Sequence, residues 1–192
     1  TATLVGQILD DYSITSLKVF TNAVNTITQG VDLVASYDDI TLGNGVLGFN
    51  LAANFNDVSI DGKINTPQPV IDAGVDIFDR KEQSRLLTAR PNDKVIFGVN
   101  YKTEKVTIAL NNTRFGEVTW QHATDVDKDQ TFSAKVITDL NVRYQFSKSV
   151  ALTVGINNLF NVYPDKIDTK GDVVTDLGGR FEYPWEVNQF GF

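Results

Sequence analysis

The sequence predicts an all-β fold: antiparallel up-and-down strands, about seven, forming an arc of a transmembrane β-barrel, with a short helix in one long loop. Three observations predict it. Apolar and polar residues alternate with period two over several segments, the connections between segments alternate between tight and long, and aromatic residues gather at both ends of the apolar faces.

Segments 14–20 and 28–38 alternate with some irregularity, as do 105–115 and 149–158. The pattern is cleaner elsewhere. Over 46–55, Leu47, Phe49, Leu51, Ala53 and Phe55 share one face, opposite Gly48, Asn50 and Asn54. Over 94–101, Val95, Phe97, Val99 and Tyr101 alternate with Ile96, Gly98 and Asn100. Over 136–146, Val136, Thr138, Leu140, Val142, Tyr144 and Phe146 oppose Asp139, Asn141, Arg143 and Gln145. Such segments are strands with one apolar and one polar face.

The connections at 102–105 (KTEK) and 146–149 (FSKS) are tight, and DDITLGNG at 38–45 reads as a modestly longer loop. Between them lie long segments at 56–93, at 116–131 and after 160. Connections this short exclude crossovers, so neighbouring strands are antiparallel. Short turns at one end and long loops at the other are the arrangement of an outer-membrane barrel, which a soluble sandwich has no reason to adopt. The helix is expected around 76–87 (DIFDRKEQSRLL), with Pro91 closing the loop before the next strand. Tyr37, Tyr101 and Tyr144 fall on the apolar parity near the short turns, and Phe55, Phe132 and Phe160 near the long loops, as two interfacial belts would. Phe20 and Phe115 fall on the polar parity, which calls for a bulge or for rings that point inward.

Composition narrows the function. The net charge of −7 leaves no basic patch for phosphates, so no nucleic-acid partner is expected. With no cysteine, thiolate metal sites, disulfides and cysteine nucleophiles are excluded. No run of about 18 apolar residues exists, so any membrane crossing must use strands. A chain without methionine that opens on Thr-Ala-Thr is expected to be a piece of a longer protein.

ALTVGINNLFNVYPDK (151–166) carries a Gly-x-x-Asn-Leu-Phe signature and resembles the penultimate barrel strand of TonB-dependent outer-membrane receptors, and other pieces follow in that family's order. VFTNAVNTITQGVDLVASY (19–37), RPNDKVIFGVNY (90–101) and VITDLNVRYQF (136–146) look like earlier strands, and EYPWEVNQFGF (182–192) like the loop before the last one. The resemblance implies that residues 1–192 are a carboxy-terminal barrel fragment, with the plug, the earlier strands and the last strand absent. It implies energy-coupled import of a scarce ligand such as a ferric siderophore, cobalamin or a glycan, in the bacterial outer membrane, with no enzymatic step and no cofactor. The implied partners are outer-membrane lipid, the small-molecule or glycan ligand, and the TonB complex reached through the plug. In the signature itself, Leu159 and Phe160 would mark the bilayer exit, Asn157 and Asn158 would satisfy backbone where pairing ends, and Pro164 would stop the strand. A passive pore or adhesin barrel, and a soluble β-sandwich binding domain, remain the alternatives.

In the outer loops, Arg114, Trp120, His122, Arg180, Tyr183 and Trp185 offer planar cations and aromatic faces suited to catecholates, carboxylates or sugars. Each is equally readable as an ordinary loop residue. Asp139, Asn141 and Arg143 would face the lumen. Asp125, Asp127 and Asp129 are weak candidates for a cation loop, because the glycine and distal glutamate of an EF-hand are missing. GNGVLG (43–48) matches a dinucleotide fingerprint, but an alternating strand follows it in place of a helix, so a hairpin turn is expected. One histidine and no nucleophile motif around any serine leave no hydrolytic triad.

Overall fold

The structure is a computed structural model that describes residues 22, 24–72, 74, 76–168, 183, 184, 187, 189 and 190. The expected strand at 14–20 and residues Phe20, Arg180 and Trp185 lie outside them. The strands are β1 (Asn25–Leu42), β2 (Gly45–Asp61), β3 (Asp93–Lys102), β4 (Val106–Phe115), β5 (Val118–Trp120), β6 (Gln130–Phe132), β7 (Lys135–Ser147) and β8 (Val150–Ile156). Two helices, α1 (Gln68–Asp72) and α2 (Arg80–Leu87), lie between β2 and β3. The second occupies the expected helical stretch, opened by Asp79, whose side chain accepts the Glu82 N–H.

Six strands form one open antiparallel sheet in the order β1-β2-β3-β4-β7-β8, an arc consistent with part of a barrel. The separate β5–β6 hairpin interrupts the connection from β4 to β7. Every short connection lies at one end of the sheet and every long one at the other. The expected loop at 38–45 is shorter than its sequence indicated. β1 runs on to Leu42 and β2 starts at Gly45, leaving a turn of Gly43 and Asn44, with Gly43 at φ +60°. A register shift between Tyr37 and Ile40 absorbs the Asp38–Asp39 pair, so the apolar parity survives the extra residue.

Side chains on directly paired residues share a face, and the register makes the two faces explicit. The row Tyr37–Phe49–Val99–Leu110–Leu140–Ile156 crosses all six strands. Its neighbour on the opposite face reads Ser36–Asn50–Gly98–Asn111–Asp139. The apolar face is uncovered: Val31, Val154 and Leu152 are 66%, 53% and 55% exposed. Thr138 on this face is paired, its Oγ1 hydrogen-bonding to Asn112 Oδ1 at 2.8 Å.

The largest fully buried side chains are Trp120, Phe132, Val118 and Ser84, all in the long-loop region. Phe132 therefore corrects one expectation. It is not a belt residue but part of a small outer core with Val118, Trp120, Ile167 and Val187. Phe55 and Phe160 stay exposed at the long-loop end, and Tyr37 and Tyr144 at the other, while Tyr101 is half-buried with its hydroxyl donating to the Leu42 carbonyl. Phe115 lies on the polar face with no register shift around it, so its ring points inward.

Candidate functional site

The candidate site sits where the polar face meets the long loops, and the end of β8 builds its floor. Asn158 takes φ +51°, a left-handed conformation that asparagine tolerates. Its side chain then bridges the turn, with Nδ2 donating to the Val162 carbonyl at 2.9 Å and Oδ1 accepting the Val162 N–H at 2.8 Å. The Asn158 N–H donates to Asp139 Oδ1 at 2.8 Å, and the Leu159 N–H to the Thr138 carbonyl at 2.7 Å. The strand thus ends through Asn158, well before Pro164, which is not its terminator. Asn157 is exposed, and no backbone bond satisfied by its side chain accompanies it.

Above this floor lies a cavity of about 670 Å³. Phe115 and Ile137 come up from the sheet, Asp139 and the two asparagines edge it, and Tyr163, Tyr183 and Phe190 close it from the loops. The rings are organised in pairs. Tyr163 and Tyr183 stack with centroids 5.6 Å apart, and Phe115 and Phe190 meet at 5.2 Å and 52°. The Lys94 ammonium stands 5.0 Å from the Phe115 ring centroid. A space of this size, mostly apolar with a few convergent polar groups, has the character of a small-molecule site.

The loops around it are braced. Thr88 and Thr119 tie α2 to β5 through the Thr119 N–H to Thr88 carbonyl bond at 2.8 Å and the Thr88 hydroxyl to Thr119 carbonyl bond at 2.7 Å. Arg80 grips Asp129 with two hydrogen bonds, at 2.6 and 3.2 Å, and also donates to the His122 carbonyl. Asp165 accepts from Lys135 and from both the N–H and hydroxyl of Ser133, locking the segment after β8 onto the start of β7. Partial burial acts to raise the Asp165 pKa, but the hydrogen bonds from Lys135 and Ser133 outweigh it and hold the carboxyl below its ordinary value.

Of the described loop residues expected to meet a ligand, only Tyr183 lines this cavity. Trp120 is fully buried in the outer core, beneath the Lys81 ammonium, with its indole N–H unpartnered. His122 serves its own loop, Nδ1 accepting from the Asp125 N–H at 3.0 Å. Arg114 pairs across the sheet with Val95 and Val136, which places it on the apolar face, ion-paired to Asp93 and turned away from the cavity. Asp139, Asn141 and Arg143 do lie on the polar face, Arg143 donating to Gln145 Oε1 at 3.0 Å. The three aspartates of 125–129 do not converge: Asp125 caps the short 3-10 turn Val126–Lys128 and Asp129 is held by Arg80. Among the described residues no three acidic or histidine side chains could hold a metal together. GNGVLG forms the expected hairpin turn into β2. The residues missed were Phe115, Ile137, Tyr163 and Phe190, and the one signal for them was the wrong-parity Phe115.

Comparison with protein families matches residues 4–159 to the family described as TonB dependent receptor-like, beta-barrel. No curated protein and no solved structure matches the chain.

Proposed function

The chain belongs to the TonB-dependent receptor-like β-barrel family, and from that premise we propose that it forms part of the wall of an outer-membrane importer that captures a scarce ligand. The family acts in TonB-dependent transport at the bacterial outer membrane, and its members are transporters rather than enzymes. One observation carries the reading for this chain: among the described residues, a six-stranded sheet has its apolar face left bare, while the compact apolar core lies among the outer loops. In water such a face would be a liability, whereas in lipid it is the contact surface. A soluble sandwich would cover it with a second sheet.

The polar face then lines the lumen, with Asn50, Asn111, Asp139 and Asn141 available to a plug. Among the described residues β1 and β8 are edges of the sheet, and hydrocarbon has no water to satisfy edge backbone. Further strands of a complete barrel would close them, which supports reading 1–192 as the carboxy-terminal part of a receptor whose plug engages TonB. The ligand would be a ferric siderophore, cobalamin or a glycan, met at the outer rim.

The test is growth with and without the gene for the complete receptor under iron, cobalamin and glycan limitation. A defect in one condition, reproduced by deleting TonB, is expected. No defect in any condition, together with large ion conductance of the reconstituted protein, would replace import with a passive pore.

A further inference from the structure

Three stretches meet at the outer rim: residues 79–92 carry α2, residues 116–134 carry the β5–β6 hairpin, and residues 157–168 follow β8. A surface loop held by few buried contacts and few backbone bonds opens locally at small free-energy cost. Here the hairpin is bonded on both sides.

Toward α2, the Thr88–Thr119 bonds and the Arg80–Asp129 grip are joined by the Gln121 N–H, which donates to the Ser84 hydroxyl at 3.2 Å. Ser84 is fully buried at this seam, and Ala89, next to Thr88, is buried as well. Toward the segment after β8, Gln130 is bonded twice: its Nε2 donates to the Lys166 carbonyl and its Oε1 accepts the Asp168 N–H, both at 3.0 Å. Gln189 Nε2 ties the base of the hairpin, donating to the Ser133 carbonyl at 2.7 Å and to the Gly116 carbonyl at 3.1 Å. The apolar core crosses the same seam, since Val118, Trp120 and Phe132 come from the hairpin and Ile167 and Val187 from the chain after β8.

Ties of this kind open together. Phe132 stays buried only while the hairpin and Ile167 both keep their places, so freeing one stretch uncovers apolar surface on the next. The cavity wall shares the constraint: Tyr163 lies within 157–168, and Gly116, which follows Phe115, is held by Gln189. A wall fixed in this way has its shape before a solute arrives, which spares binding the cost of ordering it.

We propose that α2, the hairpin and residues 157–168 form one cooperative body centred on the hairpin, so that this part of the rim is a fixed jamb and not a set of separately closing lids. The inference goes beyond the import reading and does not depend on which solute is carried. The experiment is hydrogen exchange read by mass spectrometry on the complete receptor in detergent micelles. Phe132→Ala should raise exchange about tenfold or more in 84–89 and in 161–168 as well as in the hairpin. Ile167→Ala, a change outside both α2 and the hairpin, should raise it at 84–89 too. Heat-modifiable gel migration verifies that the barrel has folded in each variant.

A second measurement leaves the core intact. Spin labels at Leu86→Cys in α2 and Val126→Cys between β5 and β6, both exposed positions, report the separation of the two elements. One narrow distance, the same in micelles and in lipid vesicles, is expected. Exchange that rises only in the mutated stretch, or two distances or a broad spread between the labels, would overturn the proposal.

Discussion

Asp165 shows how a single side chain holds the outer segment in place. Its carboxylate accepts from Ser133 twice and pairs with Lys135, so the ionised form is favoured in the folded state and its pKa lies below the ordinary 3.8. A depressed carboxyl contributes stability that is fully present above its unfolded value and is lost as pH falls through the folded value. Residues 161–168 should therefore stay protected from hydrogen exchange near neutral pH and lose protection only below about pH 4, in the ordinary carboxylate range. Asp165→Asn should remove that protection at every pH. An unchanged exchange profile in the variant would show that the segment is held by the apolar contacts of Ile167 instead.

At the scale of elements, the outer hairpin is a small domain in its own right. Trp120 and Phe132 are fully buried, and α2 is bonded to β5 through Thr88 and Thr119. Phe132→Ala should cost about 3–5 kcal/mol locally. Limited proteolysis should then cut within 116–134 while the six-stranded sheet keeps its heat-modifiable migration. The long strands were legible because each repeats its period over ten or more residues, as β3 and β7 do. The hairpin was not, since β5 and β6 are three residues each and too short to show any period. Phe132 matched the belt parity only because a neighbouring strand's count was carried across Ser133 and Ala134, which break the strand. The candidate site was legible at Tyr183 and Asp139 alone. Its other walls come from β4, β7 and the loop after β8, and convergence of residues so far apart leaves no local pattern. Arg114 was misplaced because it was grouped with the outer loops, although it lies within the 105–115 strand, on that strand's apolar parity.

For the whole molecule, the decisive asymmetry is between the two faces of one sheet. Leu110 and Asn111 are adjacent in β4 and point to opposite sides. Leu110→Arg sits in the row midway along the apolar face and should cost about 2–4 kcal/mol of folding into bilayers, measured by denaturant titration in lipid vesicles. Asn111→Arg should cost far less, because it faces the watery side. Equal costs at the two positions would mean that neither face meets lipid. In the main sheet each strand pairs with the strand that precedes and follows it in the sheet's chain order, and the one excursion, β5–β6, closes on itself. Such wiring makes the hairpin a unit of inheritance: a gene segment encoding two strands and their turn can be duplicated or lost, changing the girth of the cylinder without rerouting any connection. The outer hairpin pairs as a sheet only with itself, so the strand order of the wall does not depend on it.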